Sequence, residues 1–312
     1  MGRVLIFTAT YNEVDNVEDL IEQIFQYLPG QNVLVVDDAS PDGTGTVLDK
    51  MVESNDKIHV IHRTKKLGLG TAHKLAMKYA VHHGFDILIT MDADFSHHPN
   101  YLPTIVEALA KHDFVIGSRY IEGGALDYGW FRTLISKTAN LLARYLLNIP
   151  LKECTTSYRG FRHSLLKQIN LDAIHSEGYS FFVESIFYVS RLSNKITEFP
   201  IHFEDRRAGA SKISKTEIVK GMTSLMRLFY LRMFSSLSKI KAESSSEQSL
   251  HICIKCGGAY QTVIDSLIIQ EKQEKGADDH SFSEHQSYRR MVQCLQCGLI
   301  SPESHLQTNN NV

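Results

Sequence analysis

Apolar positions along this chain fall into short blocks separated by longer stretches of mixed character. Val4–Thr8, Val33–Val36, Ile58–Ile61, Ile87–Thr90 and Phe114–Ile116 are nearly continuous apolar runs. That is the pattern of strands buried on both faces. Between the runs the period changes. Asn16 is an N-cap type of residue, and Leu20, Ile21, Ile24 and Phe25 after it share one helical face as far as Tyr27, where Pro29-Gly30 stops the helix. Ser40-Pro41-Asp42-Gly43-Thr44 is a turn cluster ahead of a second helix, and the loop Arg63–Gly70 leads into a third, Thr71–His83. Strands alternating with helices predict an α/β fold whose sheet is parallel over about the first 120 residues. Farther on, Gly129–Ile149 and Thr216–Lys241 predict two long amphipathic helices with basic residues among their apolar ones. Such helices either lie in a membrane interface or pack on the sheet and on each other.

Three of the runs end in polar groups. The first leads to Tyr11 and Glu13, the second to Asp37 and Asp38, the fourth to Asp92 and Asp94. One acidic strand end is a solvated turn. Three among the first four βα units point to a nucleotide site in the crevice beyond the carboxyl ends of the strands. If the chain stays extended through Asp92-Ala93-Asp94, alternation turns both carboxylates the same way as surface groups. Two hard oxygen ligands suit Mg²⁺ or Mn²⁺ shared with substrate phosphates. Leu67-Gly68-Leu69-Gly70 lacks the G-x-G-x-x-G spacing and follows the third strand, which weakens a dinucleotide reading. Its glycines suit a tight turn or a close backbone approach.

Charge and composition narrow the classes. Of 312 residues, 43% are hydrophobic, and the formal charge of −2 carries no nucleic-acid footprint. Val4–Phe7 is too short for a secretory leader, and no apolar run reaches the roughly 18–20 residues of a spanning helix. Both favour a cytoplasmic protein. Four of the five cysteines form two pairs, Cys253-x-x-Cys256 and Cys294-x-x-Cys297, each followed by glycine. This spacing fits a closed four-thiolate zinc site of the ribbon type, with a redox pair or unliganded thiols as the other readings. The pattern divides the chain into residues 1–241, a Ser-rich linker at 242–250, a ribbon-like module at 251–300 with a polar, disordered insertion at Gln270–Ser287, and a disordered tail at 301–312. The module's default role is docking of a protein partner.

Ala9-Thr10-Tyr11-Asn12-Glu13, Val36–Thr44, Lys66–Ala72, Met91-Asp92-Ala93-Asp94 and Gly117-Ser118-Arg119-Tyr120 occur in that order. Together with Tyr128-Gly129-Trp130, Thr155–Arg159 and Phe203–Lys212 they resemble the family 2 glycosyltransferases of GT-A fold, in particular the dolichyl- or polyprenyl-phosphate mannose synthases. The resemblance spans about residues 3–215 and implies a Rossmann-like, mixed and mainly parallel sheet flanked by helices. It implies that Ala9, Tyr11, Glu13, Asp37, Asp38 and Ala93 bind a nucleotide sugar. It further implies that Asp92 and Asp94 hold the pyrophosphate through Mg²⁺ or Mn²⁺, with Arg206 and Lys212 beside it. Arg119, Arg132 and Ser136 would take an acceptor phosphate. Ser96 stands where a metal-ligating Gln is usual, Ala9 where Pro is usual and Glu153 where Asp is usual. His97 and His98 are either ligands or loop residues.

The expected activity is inverting transfer of a hexosyl group, mannose from GDP-mannose, to a polyprenyl monophosphate lipid, at the cytoplasmic face of a membrane and without a general base. Asp92, Asp94 and Arg206 would carry it. The alternatives are a family 2 transferase using glucose or another acceptor, a nucleotidyltransferase, and a non-catalytic scaffold acting through the ribbon.

Overall fold

The structure, a computed structural model, describes residues 2–127, 129–176, 178–204, 215–234, 260–268, 288–294 and 300–302. Side chains are described as far as residue 234, except those of residues 131, 132 and 215–218. The chain divides into two compact units at 248/249.

In the first unit the elements follow one another as β1 (Val4–Thr10), α1 (Val17–Tyr27), β2 (Asn32–Asp37), α2 (Thr44–Ser54), β3 (Ile58–His62), α3 (Leu69–His82), β4 (Ile87–Asp92), α4 (Leu102–Leu109) and β5 (Phe114–Ser118). Next come β6 (Ala125–Leu126), α5 (Trp130–Leu147), β7 (Arg159–Arg162), α6 (His163–Leu166), α7 (Ser180–Leu192), β8 (Ile196–Pro200), β9 (His202–Phe203) and α8 (Lys215–Phe234). Seven strands form one sheet in the order β3-β2-β1-β4-β7-β5-β8. All run parallel except β7, which is antiparallel to β4 and to β5. The expected parallel direction therefore holds for β1 to β5, but β4 and β5 are not neighbours. Gly160 of β7 allows α4 to press close, since a Cβ there would lie 2.6 Å from Ile105 Cγ2.

Alternation explains the apolar runs. Leu5 and Phe7 face one core, with Leu75, Ala76 and Ala80 of α3 and Phe181 and Ile186 of α7. Val4 and Ile6 face the other, with Leu20, Ile21 and Ile24 of α1 and Leu102, Ile105 and Leu109 of α4. Both faces of β1, β2, β4 and β5 are almost wholly buried, so no polar period survives there in the sequence.

The two long helices pack on each other over part of their surface. Ala143 and Leu147 of α5 and Leu225 and Leu228 of α8 are buried. Two arginines cap the carboxyl end of α5: Arg191 Nη2 donates to Leu147 O at 2.6 Å, and Arg232 Nη1 to Leu146 O at 2.7 Å. Cations there complement the helix dipole. Residues 235–241 of the second expected helix lie outside the described residues.

The second unit, residues 249–312, contains a three-stranded antiparallel sheet of β10 (Tyr260–Ile268), β11 (Tyr288–Cys294) and β12 (Ile300–Pro302). Cys294 ends β11 opposite Tyr260. Cys253, Cys256 and Cys297 and the insertion at 270–287 lie outside the described residues, as does the tail apart from Ser301 and Pro302. A chain ending at Gln248 is expected to melt cooperatively within about 2 °C of the full protein's main transition. A featureless melt by circular dichroism would show that the units fold as one.

Candidate active site

Strand order reverses between β1 and β4, so the crevice at their carboxyl ends is the topological switch point. Register places Ala9 beside Asp92, and Thr10 beside Asp37. All four residues thus stand along one edge of the sheet. The loops that leave β1, β2 and β4 each turn through a left-handed non-glycine residue: Asn12 (φ 63°), Ala39 (φ 60°) and Phe95 (φ 64°). Such backbone costs on the order of 1–3 kcal/mol each and gathers at functional sites.

The first two loops are stitched together. Ser40 Oγ accepts Asn12 N–H at 3.0 Å, Thr44 Oγ1 accepts Glu13 N–H at 3.0 Å, and Asp42 Oδ2 accepts Val14 N–H at 3.1 Å. Asp37 is buried and accepts from Thr10 Oγ1 at 2.9 Å and Ser40 Oγ at 2.5 Å. Asp38 organises the glycine loop. Its oxygens accept the amides of Leu67 (3.0 Å) and Gly68 (2.9 Å) and Nη1 of buried Arg63 (3.0 Å). Gly68, at φ 93°, permits this approach. Lys66 from the same loop sits 3.5 Å over the ring of half-exposed Tyr11. Glu13 accepts from Asn16 Nδ2 at 2.8 Å.

The acidic pair departs from the extended reading. β4 ends at Asp92, and Ala93 and Phe95 are drawn into the core, which bends the chain. Asp94 is only 3% exposed, not a surface carboxylate, and accepts Ser96 N–H at 3.0 Å. Asp92 stays partly open, with a side chain 29% exposed. Ser157 Oγ donates to its Oδ1 at 2.5 Å. His97 is buried, accepts Asp92 N–H on Nδ1 at 3.1 Å and donates from Nε2 to Thr156 Oγ1 at 2.9 Å. Burial holds it neutral, with its pKa pushed down to about 3. Both ring nitrogens are thus engaged within the protein. His98 caps the turn at 99–101 by accepting Asn100 N–H. Among the described residues no group of three or more His, Cys, Asp or Glu gathers as a metal cage. Two carboxylates with the Ser96 hydroxyl in the same loop match the sparse oxygen set of a phosphate-shared Mg²⁺ or Mn²⁺.

Across the rim, Arg119 lies just past β5. Its Nε and Nη2 form a fork onto Glu153 at 2.8 and 3.0 Å, and Nη2 also donates to Thr155 Oγ1 at 2.8 Å. Burial works to raise the Glu153 pKa, but the charge and hydrogen bonds of Arg119 outweigh it and hold the carboxyl below its ordinary value. Asn140 of α5 donates to Ser136 O and Thr155 Oγ1 and accepts Cys154 N–H, while Tyr120 Oη donates to Ser136 Oγ at 2.6 Å. Arg119 and Ser136 therefore belong to one polar network. The Arg132 side chain, Arg206 and Lys212 lie outside the described residues. Sequence reasoning missed Arg63, Asn140 and Ser157. Only Ser157 carried a signal, as part of Thr155–Arg159.

A pH dependence arises beside Asp37. His62 Nε2 meets Asp49 Oδ1 at 3.0 Å, and its Nδ1 lies 3.9 Å from Asp37. The nearby Asp37 carboxylate, then the bonded Asp49, outweighs burial and raises the His62 pKa above its ordinary value. A raised histidine stabilises the fold fully below its unfolded pKa, and that contribution fades as pH climbs through the folded value. His62→Gln should therefore cost under about 1 kcal/mol near pH 5.5 for this half-exposed group, and less near pH 8.5. Urea melts at both pH values check it.

Residues 5–169 match the family described as Glycosyl transferase family 2. An undecaprenyl-phosphate mannosyltransferase of Micrococcus luteus is 40% identical over 226 residues, covering 72% of this chain and 93% of that protein. A polyprenol monophosphomannose synthase of Mycolicibacterium smegmatis is 38% identical, covering 70% and 84%. The glucosyl-3-phosphoglycerate synthase of Mycobacterium tuberculosis, solved with Mn²⁺, UDP-glucose and phosphoglyceric acid, superposes with a TM-score of 0.53 over 73% of this chain and 80% of that one. At 18% identity this likeness speaks for the GT-A fold alone.

Proposed function

The chain belongs to glycosyl transferase family 2, and from that premise we propose that it transfers mannose from GDP-mannose to a polyprenyl monophosphate, inverting the sugar. The carrying observation is the 40% identity to an undecaprenyl-phosphate mannosyltransferase across 93% of that relative. The crevice supports it. Tyr11, Glu13 and Asp37 line the nucleotide end, and Asp92 and Asp94 stand where the diphosphate would lie. The acceptor phosphate is already an anion at neutral pH, so the protein's task is to position it and to control charge. Arg119, Ser136 and Arg132 form the acceptor side, and Arg206 and Lys212 the diphosphate side. Asp92 and Asp94 would hold a divalent ion, which would supply positive charge beside the departing diphosphate.

The lipid is met at a membrane surface. Trp130, Leu134, Ile135 and Tyr145 of α5 and Met222, Met226, Tyr230 and Phe234 of α8 are exposed. No described helix is long and apolar enough to cross a membrane. An exposed apolar face with Arg144 and Lys137 between suits interfacial binding. The cysteine pairs are proposed to hold structural zinc, on spacing alone.

The decisive assay offers GDP-mannose, UDP-glucose and UDP-N-acetylglucosamine with a short polyprenyl phosphate and Mn²⁺. Mannosyl lipid from GDP-mannose alone is expected, and a preference for UDP-glucose would overturn the sugar. Arg132→Ala should raise the KM for the lipid phosphate about tenfold with that for GDP-mannose nearly unchanged, and Lys should rescue only in part because it lacks the planar fork.

A further inference from the structure

The 153–157 segment touches both halves of the crevice. At one end Glu153, with no exposed surface, takes the Arg119 fork at 2.8 and 3.0 Å and the Thr155 amide at 2.9 Å. Its own amide and that of Lys152 are held at 2.8 Å by the two carboxylate oxygens of Glu198 on β8. In the middle, Thr155 Oγ1 donates to Glu153, and Arg119 and Asn140 donate to it. At the other end Thr156 accepts from His97, the acceptor of the Asp92 amide. Ser157 donates to the Asp92 carboxylate at 2.5 Å. A short, buried segment is therefore bonded to the acceptor-side arginine at its start and to the donor-side carboxylate at its end.

We infer that Glu153 is a positioning residue that fixes Arg119 and, through the 153–157 segment, also fixes the Asp92 carboxylate, so that acceptor and donor geometry are set together. The inference rests on the proposed roles of Arg119 and Asp92. Glu153 touches neither substrate. A buried anion is held where it is by its cation and amide partners, so its loss is not absorbed by solvent. The Asp92 oxygen bonded by Ser157 then loses the donor that orients it, and preorganised contacts of this kind lose value when they slacken.

The test is a double-mutant cycle on the full chain with Glu153→Gln and Ser157→Ala, read by calorimetric binding of Mn²⁺ with GDP and by the KM for polyprenyl phosphate. Each single variant should weaken Mn²⁺-GDP binding at least fivefold, and Glu153→Gln alone should also raise the lipid KM at least tenfold. The double variant should bind Mn²⁺-GDP no worse than about the weaker single one, because both changes cut the same connection. Effects of separate sites would multiply instead, and multiplication, or unchanged Mn²⁺-GDP binding in Glu153→Gln, overturns the inference. Should Glu153→Gln fail to fold, Thr155→Val replaces it in the cycle under the same criteria. Mn²⁺-GDP binding needs no lipid. A wild-type protein that binds it yet makes no mannosyl lipid therefore sinks the proposed function and leaves the coupling readable.

Discussion

Asparagine at Asp94 is expected to lower hexosyl transfer by about 100- to 1,000-fold, the usual loss for one preorganised electrostatic contact at a reacting group. Asparagine is the informative choice because Asp94 is 3% exposed and its Oδ1 holds the Ser96 amide at 3.0 Å. The amide side chain keeps that acceptor and the volume while removing the charge. Alanine would mix a lost ligand with a collapsed turn. The expected pattern is a melting temperature within about 2 °C of wild type, weak binding of GDP in Mn²⁺, and turnover near background. Full turnover, or wild-type turnover undiminished in EDTA, would take the metal out of the reaction.

The second large effect is on stability. Arg119→Ala leaves Glu153 charged, without its cation and fully buried, and breaking such a pair from one side costs about 3–5 kcal/mol. At roughly 2–4 °C per kcal/mol for a domain of this size, the main transition should fall by about 6–20 °C. Replacing both partners, as Arg119→Met with Glu153→Met, should recover most of that loss, since an apolar pair of similar volume carries no stranded charge. Calorimetry on the three proteins separates these outcomes. A shift under about 2 °C for Arg119→Ala would mean that the fork contributes little to the fold.

What could be read in the sequence follows from how local each signal is. β1 to β5 announce themselves because both faces of the sheet are covered, leaving apolar runs, and the acids at their ends fall where a parallel sheet places its chemistry. β7 was invisible. Arg-Gly-Phe-Arg has no apolar run, and buried Arg159 is tolerated only because Thr156 O, Cys154 O and Ser185 Oγ accept its guanidinium protons. Two of those acceptors are carbonyls of the turn just before the strand, but Ser185 comes from α7, 26 residues along, which no local pattern brings to Arg159. For the same reason Arg119 reads as an open cation until Glu153, 34 residues along, is placed against it. The bend after Asp92 was hidden by its cause: Ala93 and Phe95 look like ordinary residues between acids until the core that receives them is known.

The position of β7 also dictates a timetable for synthesis. β4 leaves the ribosome with β1 already available on one side, but its other neighbour is β7, not β5. The stretch from Ser118 to Arg162 must be made before β5 can join the sheet at all, which at about 5–20 residues per second takes on the order of a few seconds. During that interval the nascent chain carries an open apolar strand edge, Leu88-Ile89-Thr90-Met91, of the kind that pairs with other chains. Soluble yield should therefore respond to lower growth temperature and to holdase chaperones more strongly than the stability of the finished protein would suggest.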